Sequence, residues 1–327
     1  MGAPKAGTTA LHVALARHPQ VFMSTPKEPK YFLADNGVQP PARGGPGDAQ
    51  TIRKQVWRRA DYEALFAGAP ANACRGESTT LYLGDARSHE RIARLLPDAR
   101  LVAVLRDPVD RAHSNWTHLR SAGLEPIGDF IRACDMEPQR VRDGWAHFWR
   151  YVSLGRYGEQ LEHVFSLFPR EQVLVLFNRE LREQPVATLD RICRFLGVEP
   201  GLVGEVPAEN VTADAGEGLS QGVVATALRL GTAVGAAFGH RVPGPLRSLL
   251  SVPAVRYLQR EQRLRTPLRS EERAALIPRF EDDIQRLERL LDVELPHWRD
   301  LRNGLDRPPL PVAGRFGTGY KSIDRPV

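Results

Sequence analysis

The sequence predicts an α/β fold with a mainly parallel sheet. Two apolar runs support this prediction, Leu101–Leu105 and Val173–Phe177, because each is short and continuous, like a strand buried on both faces. A helical pattern follows each run, beginning at Val109 after the first and spanning residues 186–196 after the second. Strand–helix alternation at this spacing is typical of parallel sheets covered by helices.

Composition places the chain among ordinary globular proteins. Its 327 residues include 42% apolar and 26% charged residues, which excludes a disordered or fibrous chain. The longest weakly charged apolar stretch, residues 223–238, contains Arg229 and several glycines, so we expect no transmembrane segment. Three widely spaced cysteines and the absence of an export leader predict a reduced, cytoplasmic protein.

The net charge of +6 does not indicate a nucleic-acid partner. Only five of the 45 basic residues are lysines, and the arginines are spread along the chain among acidic residues. A nucleic-acid surface would instead concentrate basic residues on one face or along one helix. We therefore expect no nucleic-acid binding.

The most unusual segment is residues 2–9, Gly-Ala-Pro-Lys-Ala-Gly-Thr-Thr, which leads into a helical pattern. A glycine-rich turn at a helix start binds anions, because the first helical N–H groups lack partners within the helix. In a nucleoside-triphosphate loop a lysine directly follows the second glycine, whereas here Thr8 follows Gly7 and the lysine is Lys5. The pattern predicts a phosphate site without the magnesium-nucleotide signature; a simple tight turn is the alternative.

The remaining segments are interpreted in chain order. Residues 21–23 predict a short strand. Residues 27–32 predict a loop that ends in aromatic side chains, and residues 36–50 predict a mobile surface loop. Residues 213–262 are apolar and rich in glycine and alanine, which predicts helices that cover the site. A strong helical period from 273 to 291, capped by Ser270, predicts a closing helix. We expect one domain over residues 1–303 and a tail rich in proline and glycine over 304–327.

Two motifs resemble those of sulfotransferases that use 3′-phosphoadenosine 5′-phosphosulfate (PAPS). Residues 4–11, Pro-Lys-Ala-Gly-Thr-Thr-Ala-Leu, resemble the 5′-phosphosulfate loop, and residues 106–114 resemble the 3′-phosphate element R-x-P-x-x-R-x-x-S. The Lys-Glu-Pro-Lys-Tyr-Phe segment at 27–32 is similar to the bacterial branch related to heparan-type enzymes. The resemblance extends to about residue 300 and implies a P-loop-like fold of three layers, with a central parallel sheet flanked by helices.

The resemblance also implies a role for individual residues. Lys5 would lie against the bridging oxygen of the donor, and Glu28 would take the proton from the acceptor. Glu28 has an alternative interpretation as an exposed carboxylate paired with a neighbouring lysine. Lys30 and Tyr82 would contact the acceptor. The donor would be bound by Lys5, Ala6, Gly7, Thr8 and Thr9 at its 5′ end and by Arg106, Ser114 and Arg265 at its 3′ end.

The implied reaction moves a sulfuryl group from PAPS to a hydroxyl or amine by in-line displacement, without a metal. It releases the desulfated product, 3′-phosphoadenosine 5′-phosphate (PAP). The acceptor would be a carbohydrate, a lipid or another small metabolite. Two alternatives stay open. One is a P-loop small-molecule kinase, because Asp107 follows an apolar strand as a magnesium-binding aspartate does, although Pro108 and Thr8 count against it. The other is a non-catalytic nucleotide-binding relative.

Two features depart from the family pattern. Relatives carry a lysine and a proline in the stretch 76–82, where this chain has Ser78 and Thr80, so a cation is missing there. The phosphate loop should also follow a buried first strand, yet only Met1 and Gly2 precede it. We therefore expect the first strand to be missing and the natural start to lie upstream. Finally, the aromatic residues at 145–151 form either an acceptor pocket or, more commonly for such residues, part of the core.

Overall fold

The computed structural model of the protein describes residues 1–35, 38, 41, 44–203 and 267–301. Several predictions concern other parts of the chain. The apolar region 213–262, the side chain of Arg265 and the tail 304–327 all lie outside the described residues.

The strands confirm the predicted α/β class with parallel pairing. They are β1 (Val21–Met23), β2 (Cys74–Gly76), β3 (Leu101–Leu105) and β4 (Val173–Phe177). β1 pairs in parallel with β2, and β3 pairs in parallel with β4 along their full lengths. The apolar run of β3 is buried as predicted, with its last three residues fully inaccessible to solvent.

Helices cover the strands and connect them. In the described residues, the α-helices are α1 (Thr8–Ala16), α2 (Asp48–Arg53), α3 (Arg59–Ala64), α4 (Ala86–Leu95), α5 (Pro108–Ser121), α6 (Phe130–Asp135), α7 (Glu137–Arg142), α8 (Tyr157–Leu167), α9 (Asn178–Glu183), α10 (Pro185–Leu196), α11 (Ser270–Leu276) and α12 (Glu281–Leu291). α1, α5 and α10 fall where the helical patterns predicted them. α2 begins inside the predicted loop 36–50, and its first residue, Asp48, is buried.

The first residues of the chain lie beside β3. Gly2 forms a parallel bridge with Val104, the Ala3 N–H donates to the Val104 carbonyl at 2.8 Å, and the Met1 amine donates to the Val102 carbonyl at 3.1 Å. These residues therefore occupy the position from which a phosphate loop starts.

The closing helix differs from its prediction. The period from 273 to 291 is divided between α11 and α12 by a short 3-10 turn over Ile277–Arg279, because Pro278 provides no backbone N–H for a continuous helix. Ser270 is the first residue of α11 rather than its cap. The carboxylate of Glu272 instead accepts the backbone N–H of Arg269 at 3.0 Å.

α12 is joined to α8 by a helix cap. The carboxylate of Asp283 accepts the backbone N–H groups of Gly158 and Glu159 at 2.8 and 2.9 Å. It thereby satisfies two of the donors that the first turn of α8 leaves without a helical partner. The C-terminal segment is thus built into the same core as the strands. None of the helices in the described ranges is long and apolar enough to cross a membrane.

Candidate active site

The phosphate loop leaves the edge of β3 and turns into α1. Lys5 and Gly7 both have left-handed backbone conformations, with φ of 70° and 89°. Gly7 is the N-cap of α1 and has no side chain to cap it. The left-handed conformation favours glycine, and a Cβ atom at Gly7 would lie 2.9 Å from the Asn178 amide nitrogen, so that amide would have to move.

Two side chains from the ends of neighbouring strands hold this loop. Arg106 follows β3 and donates from Nη1 to the carbonyl of Lys5 at 2.8 Å. Asn178 follows β4 and donates from Nδ2 to the carbonyl of Ala6 at 2.8 Å. The carboxyl ends of parallel strands meet at one edge of the sheet, which is where ligands bind in such folds. The two contacts therefore fix the loop at the edge expected for a ligand site.

A lysine connects the first turn of α1 to Glu28. The Lys27 ammonium lies 3.3 Å from Thr8 Oγ1, 3.1 Å from Thr9 Oγ1 and 3.3 Å from Glu28 Oε1. The Thr80 hydroxyl donates to the same Glu28 oxygen at 3.5 Å. Glu28 therefore lies at the phosphate loop. It pairs with Lys27, as the alternative interpretation predicts, but its side chain is half-buried rather than exposed.

The segment after β2 holds the loop that contains Glu28 and Lys30 in place. Glu77 accepts the backbone N–H of Thr79 at 2.6 Å, and the Thr79 hydroxyl accepts the backbone N–H of Lys30 at 3.1 Å. Ser78 is one of the departures from the family pattern. Its Oγ lies 3.0 Å from Nδ1 of His12 on α1. These contacts tie the loop containing Glu28 and Lys30 to both β2 and α1.

Burial and the lysines set the charge of the site. Burial and, secondarily, the Lys27 charge lower the pKa of His12 to about 4, so this imidazole is neutral at pH 7. Burial and, secondarily, the Lys5 charge lower the pKa of His118, on α5, to about 4 as well. Burial lowers the pKa of Lys30, opposed by nearby Glu28. The cationic groups of the site are thus lysines and Arg106, not histidines.

The start of α5 is fixed by Asp107. Its carboxylate accepts the N–H groups of Val109 and Asp110 at 3.0 and 3.1 Å and also pairs with the buried Arg273 of α11. Arg273 reaches Asp110 at 2.8 Å with its other terminal nitrogen. Asp107 therefore serves as a helix cap and an ion-pair partner, which differs from the magnesium-binding role considered for a kinase. In the described residues, no group of three or more His, Cys, Asp or Glu side chains has the arrangement of a metal site.

The structure brings most of the predicted residues into one network. Lys5 to Thr9, Glu28 and Arg106 are joined by the contacts above, and Lys30 is joined through Thr79. Ser114 lies buried on α5. Tyr82 is only 3% exposed, and its hydroxyl accepts the Phe32 N–H at 3.3 Å. Its side chain therefore packs in the interior, against the end of the loop that contains Glu28.

The aromatic residues at 145–151 belong to the core. Trp149 and Tyr151 are fully buried. The Trp149 indole donates to Asp48 at 3.0 Å, and the Tyr151 hydroxyl donates to Glu125 at 2.6 Å. This confirms the core interpretation of the cluster.

Sequence reasoning missed Asn178 and His12, and it considered Lys27 only as a partner of Glu28. The available signal for Asn178 was its position, directly after the apolar run of β4 at the edge where the phosphate loop lies. His12 and Lys27 gave no comparable signal, because their contacts join segments that are separate in sequence.

Comparison with known proteins identifies the family. A family model described as the sulfotransferase family matches residues 1–200. The chain belongs to the sulfotransferase family. This membership confirms the resemblance drawn from the two motifs and decides against the kinase alternative.

Individual relatives agree with this assignment. The human bifunctional heparan sulfate N-deacetylase/N-sulfotransferase 3 is 29% identical over 209 residues, which cover 61% of this chain and 22% of that protein. The bovine bifunctional heparan sulfate N-deacetylase/N-sulfotransferase 2 is 30% identical over 216 residues, covering 62% of this chain and 22% of that protein. This chain therefore matches about a fifth of the length of these relatives.

A solved structure extends the similarity beyond the matched motifs. The sulfotransferase from Alicyclobacillus acidocaldarius superposes with a TM-score of 0.67 at 26% identity, covering 92% of this chain and 97% of that one. The fold predicted from the strand–helix pattern is thus the fold of a solved bacterial sulfotransferase.

Proposed function

We propose that this protein transfers a sulfuryl group from PAPS to a hydroxyl or amine of an acceptor. The observation that supports this most directly is the Lys27 ammonium, which joins the Glu28 carboxylate to the first turn of α1 at 3.1–3.3 Å. A carboxylate able to accept a proton therefore lies beside the loop that would bind the anionic donor.

The residues present fit such a donor. Gly7 has a left-handed backbone, and the loop leads into the N-terminus of α1, where backbone N–H groups favour a phosphate. Thr8 and Thr9 add hydroxyl donors. Arg106 and Ser114 would hold the 3′-phosphate, and Arg265 would join them from outside the described residues.

PAPS, when bound, supplies the sulfuryl group and a phosphate leaving group. Lys5 would neutralise the negative charge that develops on that phosphate as the S–O bond breaks. Glu28 would accept the proton of the attacking hydroxyl or amine as the new bond to sulfur forms. Because both ends of the displacement are then balanced in charge, positioning supplies most of the remaining catalysis.

For the acceptor, we propose a carbohydrate or another small molecule with a free hydroxyl or amine. The curated relatives support a glycan amine, since they are named as heparan sulfate N-sulfotransferases. Lys30 supports an acceptor with anionic groups, because its half-buried ammonium lies on the same loop as Glu28.

The test is transfer of label from [³⁵S]PAPS to three probes: an oligosaccharide with free glucosamine amines, its N-acetylated form, and a phenol. We expect transfer to at least one probe. Glu28→Gln should reduce kcat by about 10²–10⁴-fold, the usual range for a general base, with PAP affinity within about threefold of the wild type. Binding of PAP with no transfer to any probe would favour the non-catalytic relative, and unchanged turnover in Glu28→Gln would exclude it as the base.

A further inference from the structure

We infer that Lys27 is a second catalytic cation, which contacts the transferred sulfonate group while Lys5 faces the leaving phosphate. This inference rests on the proposed function and adds a residue to it. It starts from the three contacts of the Lys27 ammonium and from the elements that supply them.

The Lys27 ammonium lies among three oxygens of the site. Its three N–H groups match three acceptors, the hydroxyls of Thr8 and Thr9 and Oε1 of Glu28, at 3.1–3.3 Å. All three distances are longer than the usual value of about 2.9–3.0 Å for N–H···O bonds, which means that each contact is weak. An anion placed at the N-terminus of α1 would therefore meet this ammonium, and it would compete for the same donor.

The contacts to Glu28 leave one of its oxygens for the reaction. Within the part of the chain that the structure describes, Lys27 and Thr80 both donate to Oε1. Oε2 is then the oxygen open to take the acceptor's proton. Lys27 thus orients the base and stands between the base and the phosphate loop, which is the region that the sulfonate must cross.

The described segments that pack against this loop add no second cation to the three contacts of Lys27. Residues 77–80, which pack against the same loop, are Glu-Ser-Thr-Thr and include no cation. The His12 imidazole, within the field of Lys27, has its pKa lowered to about 4 by burial and by that lysine, and so is neutral at pH 7. Lys5 belongs to the loop itself, with its carbonyl bound by Arg106. Of the two lysines in the loop after β1, Lys27 is the one whose ammonium contacts Thr8, Thr9 and Glu28.

The chemical role follows from where charge moves. During transfer, the bond between sulfur and the bridging oxygen breaks with its electron pair on the phosphate, and a bond from sulfur to the acceptor oxygen or nitrogen forms. The acceptor's proton passes to Glu28. Lys27 stays protonated throughout and donates hydrogen bonds to the sulfonate oxygens, while the Thr8 and Thr9 hydroxyls become available to the phosphate.

The test compares two ligands that differ by the sulfonate. Calorimetric affinities for PAPS and for PAP are measured in the wild type, Lys27→Met, Lys27→Arg and the control Lys54→Met, which removes an exposed lysine near Lys30. We expect Lys27→Met to weaken PAPS binding about tenfold, the loss of one charge-assisted contact, and PAP binding by about threefold or less. Lys27→Arg should recover part of the difference, and Lys54→Met should change neither affinity.

Three further results separate the possible failures. Equal losses for PAPS and PAP would show that Lys27 only organises the loop, and unchanged affinities would show no contact; either result overturns the inference. Failure of the wild type to bind PAP would overturn the proposed function itself. Thr9→Val keeps the lysine and removes one of its acceptors, so the PAPS-to-PAP affinity ratio should stay within about twofold of the wild type. A large change in that ratio would contradict the assignment even if Lys27→Met failed to fold.

Discussion

At the scale of single residues, the backbone geometry of the phosphate loop explains why residue 7 is a glycine. Gly7 combines a left-handed φ of 89° with a position where an added Cβ would lie 2.9 Å from the Asn178 amide nitrogen. Gly123 has a similar φ of 70° but nothing within 4 Å of a Cβ position. The two glycines therefore share the backbone cost of substitution and differ only in the contact.

This pair gives a controlled prediction. Gly7→Ala should weaken PAP binding by at least about tenfold, because the Asn178 amide must move and release the Ala6 carbonyl that it holds. Gly123→Ala should cost about 1–2 kcal/mol of stability through the same left-handed strain and leave PAP binding unchanged. Calorimetry and urea unfolding of both variants measure the two effects. Equal PAP affinities in the two variants would mean that the loop tolerates a side chain at Gly7.

At the scale of elements, a buried arginine connects α11 to the candidate 3′-phosphate element, residues 106–114. Arg273 of α11 is fully buried and pairs with Asp107 and Asp110, at the first turn of α5. Asp107 directly follows Arg106, so this ion pair fixes the start of the helix that includes Ser114. The connection joins segments more than 160 residues apart in sequence.

We predict that Arg273→Met lowers the free energy of unfolding by about 3–5 kcal/mol, because it leaves two carboxylates without their cation. PAP affinity should fall as well, since the ion pair that fixes the start of α5, between Arg106 and Ser114, would be lost. Arg289→Met, at an exposed position of α12, should change unfolding by about 0.5 kcal/mol or less. Urea denaturation of both variants measures this, and similar midpoints would contradict a structural role for the ion pair.

Local patterns explain which elements were predictable. β3, β4, α1 and α10 follow from short-range periodicity, and the phosphate loop follows from its glycines and its lysine. The break at Pro278 was missed because the apolar period continues across it. The position of Asn178 after β4 was readable from the sequence. Its contact with Ala6, like those of Lys27 with α1 and of Arg106 with Lys5, joins distant segments and is not encoded by a local pattern. Glu28 was predicted from the family resemblance of residues 27–32, since periodicity and composition do not distinguish its carboxylate from others in the chain.

At the scale of the whole molecule, the parallel arrangement brings two distant motifs together. Residues 1–3 and β3 lie side by side, so the loop after the first and the arginine after the second meet, and Arg106 binds the Lys5 carbonyl at 2.8 Å. The proposed binding of PAPS through the phosphates at both of its ends therefore depends on the folded sheet rather than on either motif alone.

The central claim is that one site recognises both phosphates of PAPS, and the most direct measurement is calorimetric titration with PAP, adenosine 5′-phosphate and ATP–Mg²⁺. We predict that PAP binds at least about a hundredfold more tightly than adenosine 5′-phosphate, because the 3′-phosphate adds charge-assisted hydrogen bonds worth about 1.5–3 kcal/mol each. Equal affinities for PAP and adenosine 5′-phosphate, or a preference for ATP–Mg²⁺, would contradict it.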